Sequence, residues 1–145
     1  MQNENLVVVV STGEGPVDEI RNRFPSPNVM VEPFVPYAAV MSHVSVMITN
    51  GGFGGVSTAL WHGVPLAVAA ESEDKPEAAA RVAHCGAGIN LKTGRPSPGK
   101  VHKAVMKILG DPSYRRNAER VRDDFRKHDA VKESINLIES VIAND

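Results

Sequence analysis

Residues 6–10 read Leu6-Val7-Val8-Val9-Val10, an apolar run with no polar residue to alternate with. Four of the five are β-branched, which favours extended backbone. An uninterrupted run of this kind describes a strand buried on both faces, so the chain is expected to build a sheet covered by helices. The run closes on Ser11-Thr12-Gly13-Glu14-Gly15-Pro16, a cluster of turn residues. Shorter apolar runs follow at 29–31, 44–48, 64–69 and 87–91, and helical segments separate them. Strands alternating with helices predict an α/β fold with a parallel sheet.

The helices carry their own punctuation. A segment over 54–62 ends at Gly63, and a second over 76–85 starts with Pro76 and ends at Gly86, each glycine standing where a helix C-terminus wants a left-handed residue. Ser97-Pro98 is a cap followed by a first-turn proline. It opens a helix whose Val101, Ala104, Val105, Ile108 and Leu109 share one face and which ends at Gly110. Asp111-Pro112 opens another with Tyr114, Ala118, Val121 and Phe125 in register, and a last helix aligns Val131, Ile135, Ile138 and Ile142. These apolar faces are expected to pack, with the charges turned outward. All of it fits a single domain over 6–145, with no repeat or long linker.

Charge narrows the function. Sixteen Lys and Arg stand against 17 Asp and Glu in 145 residues, so no basic surplus exists to neutralise nucleic acid or an anionic membrane. No apolar stretch approaches the ~20 residues of a membrane span. The N-terminus, Met1-Gln2-Asn3-Glu4-Asn5, lacks the basic and apolar regions of a secretory signal, and a cytoplasmic protein is expected. Cys85 is alone, which excludes an internal disulfide and a multi-cysteine metal site. His62 and His84 stand at helix ends, where they suit capping, and no catalytic triad or metal-ligand spacing is evident.

The segment with chemistry is Thr49-Asn50-Gly51-Gly52-Phe53-Gly54-Gly55-Val56-Ser57-Thr58, a glycine-rich turn between an apolar strand and a helix. Glycines let backbone approach a bulky anion, and the unpaired N–H groups of the helix's first turn point toward it along the positive end of the dipole. A diphosphate suits such a turn, and so does a tight strand-to-helix junction with no ligand at all. With the diphosphate reading the fold becomes a three-layer, Rossmann-like domain whose ligand lies at the carboxyl ends of the strands.

Several blocks in order, Phe34-Val35-Pro36-Tyr37, then 48–60, His62-Gly63-Val64-Pro65-Leu66, Glu73-Asp74-Lys75-Pro76-Glu77, Arg81-Val82 and Gly86-Ala87-Gly88-Ile89, resemble the C-terminal domain of GT-B fold UDP-glycosyltransferases of the macrolide and sterol type. The resemblance implies that Phe34 stacks on the donor's base and that the backbone of Val35 bonds the base edge. It places the diphosphate in the turn of Asn50, Gly51, Gly52, Gly54 and Gly55, with Thr58 near the ribose and phosphates. Asp74 and Lys75 fall on the family's Asp-Gln pair, which contacts the hydroxyls of the donor sugar. Phe34 also suits a core aromatic after a strand, and Asp74-Lys75 a solvated charge pair. Asn50, Thr58 and Lys75 depart from the His, Glu and Gln usual at their positions, so donor contacts differ in detail.

By the same resemblance, residues 6–13 match the family domain's second strand, and only five residues precede them. A truncated chain, a strand supplied by another polypeptide, or altered strand pairing would each explain this, and an exposed parallel edge would favour self-association. What the resemblance implies is the donor-binding half of a glycosyltransferase, taking a UDP- or dTDP-sugar without an obligatory metal or other cofactor. The full enzyme would transfer the sugar to a hydroxyl of a small lipophilic acceptor. The catalytic base and acceptor pocket are expected on an N-terminal domain outside this chain, so no catalytic residue is assigned within it and the chain alone is expected to be inactive. A donor-binding subunit of a split glycosyltransferase is the alternative, with an epimerase or phosphorylase of the same fold a third reading.

Overall fold

The computed structural model describes residues 5–142. Residues 1–4, which hold most of the polar N-terminal stretch, and 143–145, the end of the expected domain, lie outside the described residues. The chain forms two compact units that divide between His43 and Val44.

In the first unit, β1 (Val8–Ser11) runs parallel to β2 (Val29–Glu32), with Val8 opposite Val29 and Ser11 opposite Glu32. Helix α1 (Val17–Arg23) connects them. Its acids, Asp18 and Glu19, lie in the first turn and its arginines, Arg21 and Arg23, in the last, the arrangement that suits the helix dipole. Arg21 donates from Nε to the Val31 carbonyl at 2.9 Å and pairs with Glu32 at 3.3 Å, which ties α1 to β2. A short helix, α2 (Tyr37–Val40), and a 3-10 turn over Met41–His43 complete the unit.

Two expectations for this unit need correction. The sequence gives no sign of α1 or α2, because α1 carries only two apolar residues and α2, at four residues, is too short to show a helical period. The run at 6–10 is also not buried on both faces: Val8 and Val10 are half-buried while Val7 and Val9 are exposed. A strand that pairs on one side with a single neighbour has fewer surfaces to hide in than the central strand its sequence resembles.

The second unit is a parallel sheet in the order β3 (Met47–Thr49), β4 (Leu66–Val68), β5 (Gly88–Asn90). The crossovers are α3 (Phe53–Trp61) and α4 (Lys75–His84). Two right-handed crossovers advancing in one direction put both helices on one face. Alternation sends Ala67, Ala69, Ile89 and Leu91 to the other face, where they pack with Val101, Ala104 and Ile108 of α5 (Pro98–Gly110) and Tyr114 of α6 (Pro112–Phe125). The result is the expected three-layer α/β arrangement. Leu66, Ala67 and Val68 of the central strand are all fully buried, as its unbroken apolar run requires.

Both helix-to-strand junctions end in the same motif. Gly63 (φ +69°) donates to the Leu60 carbonyl at 2.9 Å and Val64 to that of Ala59 at 2.8 Å. Gly86 (φ +70°) donates to Ala83 and Ala87 to Val82, both at 3.1 Å. These are Schellman closures, and each delivers the chain directly into the next strand. The cap of α5 forms as its sequence implies, with Ser97 Oγ accepting from the Lys100 N–H at 3.3 Å.

Helix α7 (Ala130–Ile142) departs from expectation. Its apolar stripe was expected to pack, yet every residue of the helix is exposed and none is buried.

Candidate functional site

The turn between β3 and α3 is held by two side chains of its own. Thr49 Oγ1 accepts from the Gly51 N–H at 3.2 Å, and Asn50 Oδ1 accepts from the Gly52 N–H at 3.1 Å. Short polar side chains that bond backbone two residues on fix a turn without help from elsewhere. Asn50 is thus a builder of the turn through its amide oxygen, while its amide NH₂ remains a donor.

The glycines of this turn are not equivalent. Gly51 has φ +88°, and a Cβ there would meet Val68 Cγ1 at 3.0 Å, the Lys75 carbonyl at 3.2 Å and Ala70 Cβ at 3.3 Å. Both backbone and packing demand glycine at this position. Gly54 has nothing within 4 Å of a Cβ, Gly52 only Asn50 Oδ1 at 3.5 Å, and Gly55 ordinary contacts with Thr49 and Met47. The fold therefore has no steric use for glycine at 52 or 54. Open space stands over the first turn of α3, where the N–H groups of Phe53, Gly54 and Gly55 have no intrahelical carbonyl to bond.

Thr58 turns inward on its own helix, with Oγ1 donating to the Gly54 carbonyl at 2.8 Å. Its hydroxyl proton is committed, so toward a ligand it can only accept. Phe53, absent from the sequence-derived site, is exposed at the first position of α3. Its place inside the glycine run was the available signal.

The β4–α4 loop adjoins this turn, since the Lys75 carbonyl is one of the atoms beside Gly51. Glu73 takes φ +61°, and Lys75 Nζ pairs with its carboxylate. That hydrogen bond, and next the ammonium charge behind it, holds the exposed Glu73 carboxyl below its ordinary range. Asp74 is the N-cap residue of α4, but its φ −81° and ψ −10° leave the side chain without a capping hydrogen bond, and it is exposed. The second unit thus brings the 51–55 turn, Asp74 and Lys75 to the carboxyl ends of β3 and β4. Lys75 arrives with its charge already engaged by Glu73.

In the first unit, Phe34 lies between β2 and α2 and is 76% exposed, which removes the reading of it as a core aromatic. The neighbouring Val35 is buried. Among the described residues no group of three His, Cys, Asp or Glu is arranged to hold a metal ion, and no helix is long and apolar enough to cross a membrane.

A parallel three-layer α/β unit with a glycine-rich turn opening a helix at the strands' carboxyl ends defines a domain of the nucleotide-binding type. Comparison with known proteins makes the family definite. Residues 4–140 match the family described as Erythromycin biosynthesis protein CIII-like, C-terminal domain, and the chain belongs to it: it is a C-terminal, donor-binding domain of GT-B glycosyltransferases. It is 46% identical over 140 residues to 4'-demethylrebeccamycin synthase of Lentzea aerocolonigenes, covering 96% of this chain and 32% of that protein. It is 37% identical over 116 residues to UDP-glycosyltransferase 2 of Phaeomoniella chlamydospora, covering 80% of this chain and 26% of that protein. Among solved structures, the glycotransferase of kitacinnamycin superposes with a TM-score of 0.78 at 30% identity, covering 92% of this chain and 34% of that one. The chain spans about a third or less of the relatives it matches.

Proposed function

We propose that residues 6–145 serve as the donor-binding part of a cytoplasmic glycosyltransferase that moves a sugar from a UDP-type donor to a hydroxyl of a small lipophilic acceptor. The observation that carries this is the turn before α3: two glycines that the fold does not need, over a helix start where the N–H groups of Phe53, Gly54 and Gly55 have no intrahelical carbonyl to bond. A diphosphate fits both halves of that description. Its charge meets the positive end of the helix, and its bulk occupies the space left by the absent Cβ atoms. The same N–H groups would stabilise the departing diphosphate as negative charge grows on it, which makes a metal ion unnecessary for that step.

Asp74 takes the sugar. Its carboxylate is exposed and uncommitted beside the turn, and a carboxylate accepts well from vicinal hydroxyls. Phe34 takes the base through its exposed ring, with the Val35 backbone at the base edge. The name of the Phaeomoniella relative supports a UDP donor, and the family's name supports a macrolide-like acceptor. The base that deprotonates the acceptor belongs to a partner domain of the longer enzyme.

Titration of the isotopically labelled chain with UDP, followed by NMR, tests the assignment. Shifts are expected at amides 52–55 and at Phe34 and Val35. Phe34→Ala is expected to cost about 1–3 kcal/mol of UDP affinity, the worth of an aromatic stack on a base. A folded sample in which UDP moves none of these signals ends the donor-site reading. Sugar transfer by the chain alone from UDP-glucose would overturn the assignment of the catalytic base to another domain.

A further inference from the structure

The first residue of α4 is a cation at the wrong end of its helix. Lys75 stands in the first turn, where the dipole disfavours positive charge, so its ammonium does not serve the helix. Its counter-ion is Glu73, two residues back, whose carboxylate accepts from Lys75 Nζ. Glu73 takes φ +61°, a left-handed backbone that glycine or asparagine adopts at less cost. One ion pair therefore joins a strained residue to an ill-placed cation.

The two partners differ in exposure. The Lys75 side chain is 24% exposed and that of Glu73 is 70% exposed. The cation belongs to a residue tied to the turn before α3, because the Lys75 carbonyl lies 3.2 Å from where a Cβ on Gly51 would stand. The carboxylate is the member that faces water and with which an incoming anion would compete. Asp74, between them in sequence, is exposed and caps nothing. Glu73, Asp74 and Lys75 together carry one net negative charge. A neutral sugar meets a carboxylate that can accept from its hydroxyls. A sugar that bears its own carboxylate meets two like charges and a cation already engaged. Without the Glu73 charge, the same loop would offer that carboxylate a free ammonium.

We propose that Glu73 is a specificity-determining residue of the donor site: by holding the Lys75 ammonium it denies that cation to a sugar carboxylate, which restricts the site to donors whose sugar carries no negative charge. The inference rests on the donor-site reading above and adds to it the class of sugar that is excluded and the residue that excludes it.

Calorimetric titration of the intact chain with UDP, UDP-glucose and UDP-glucuronate tests it. The parent is expected to bind UDP-glucose more tightly than UDP-glucuronate. Glu73→Gln should raise UDP-glucuronate affinity relative to UDP-glucose by about fivefold at low salt, the upper range for an ion pair with an exposed member, and added salt should shrink the gain. On a Lys75→Gln background the same replacement should give a much smaller gain, because the ammonium it would release is gone. A parent that binds both sugar donors equally overturns the proposal, and so does a Glu73→Gln variant whose ratio is unmoved. Equal gains for all three ligands overturn it as well and would turn Lys75 toward the diphosphate. Equal losses for all three overturn it by reducing Glu73 to a residue that shapes the loop. A folded parent that binds none of the three ends the donor reading too. A parent in which UDP shifts amides 52–55 but whose ratio Glu73→Gln leaves unmoved keeps that reading and removes this inference alone.

Discussion

The two ends of the sheet in the second unit use the same residue types differently. At the amino ends of β4 and β5, Gly63 and Gly86 adopt left-handed backbone and close Schellman motifs, and a Cβ on Gly86 would fall 2.6 Å from Asn117 Nδ2. At the carboxyl ends, Gly52 and Gly54 have negative-φ backbone and open space. Two aspartates that stand at helix starts show the same contrast. Asp111 opens α6 and accepts the Ser113 N–H at 2.9 Å, whereas Asp74 opens α4 and caps nothing. Groups engaged by the fold mark the end where stability is made. Groups left idle mark the end where a ligand is received, as the carboxyl end of an open parallel sheet leads one to expect.

The sharpest break of this comparison lies within the turn itself. Gly51 belongs with the structural glycines despite its place at the ligand end. Gly51→Ala forces a side chain into φ +88° and against Val68 and the Lys75 carbonyl, and together these should cost about 2–4 kcal/mol. Urea unfolding should show a lower midpoint with an unchanged slope. A variant as stable as the parent would mean that the β4–α4 loop yields freely, and Gly51 would lose its distinction from Gly54.

Gly54 should behave in the opposite way. A Cβ at Gly54 would meet nothing within 4 Å, and Gly54→Val replaces a poorer helix former, so stability should hold within about 0.5 kcal/mol. UDP affinity should nevertheless fall by about 1.5–3 kcal/mol, the worth of a hydrogen bond to a charged group, because the side chain stands where the anion approaches. Calorimetric titration of both variants separates the two roles. If Gly54→Val binds UDP as the parent does, the diphosphate does not lie over this turn.

How far the sequence could be read follows the same division. The strand-glycine-helix order, the caps at Ser97 and Asp111 and the terminators Gly63 and Gly86 were legible, because each depends on neighbours within a few residues. The unequal status of Gly51 and Gly54 was not legible, since it depends on Val68, Ala70 and Lys75 across the sheet. The engagement of Lys75 by Glu73 and of Thr58 by the Gly54 carbonyl is local, but it depends on side-chain rotamers that residue spacing does not fix. Helix α1 was missed because two apolar residues, Val17 and Ile20, set no period. The exposure of α7 runs against a pattern that reads as buried, and a partner outside the described residues reconciles the two.

Asp74 and Asp111 carry the comparison to side chains. Asp74→Ala should leave thermal stability and UDP affinity almost unchanged, while the affinity of UDP-glucose falls toward that of UDP, because only hydroxyl contacts are removed. In the longer enzyme the same loss would appear in kcat/KM, through misalignment of the anomeric carbon. Asp111→Ala should lower Tm and leave both ligands untouched. Equal weakening of UDP and UDP-glucose by Asp74→Ala would return Asp74 to the structural class.

The smallest expected effect is the pH dependence of the α6 cap. The Asp111 carboxyl is held below its ordinary range first by its side-chain hydrogen bond with Ser113, then by the Ser113 backbone N–H, with Arg116 and Lys107 adding a weaker electrostatic pull. A carboxyl whose folded pKa is depressed contributes stability that is complete above its unfolded pKa and is lost as pH falls through the folded one. The cap should therefore matter at neutral pH and fade in acid. The difference in Tm between the parent and Asp111→Asn should narrow as pH is lowered from 7 toward and below the carboxylate range. A difference that stays the same across that range would show that the α6 cap does not depend on the charge of the Asp111 carboxylate, and the contrast between the two ends of the sheet would fail at its capped end.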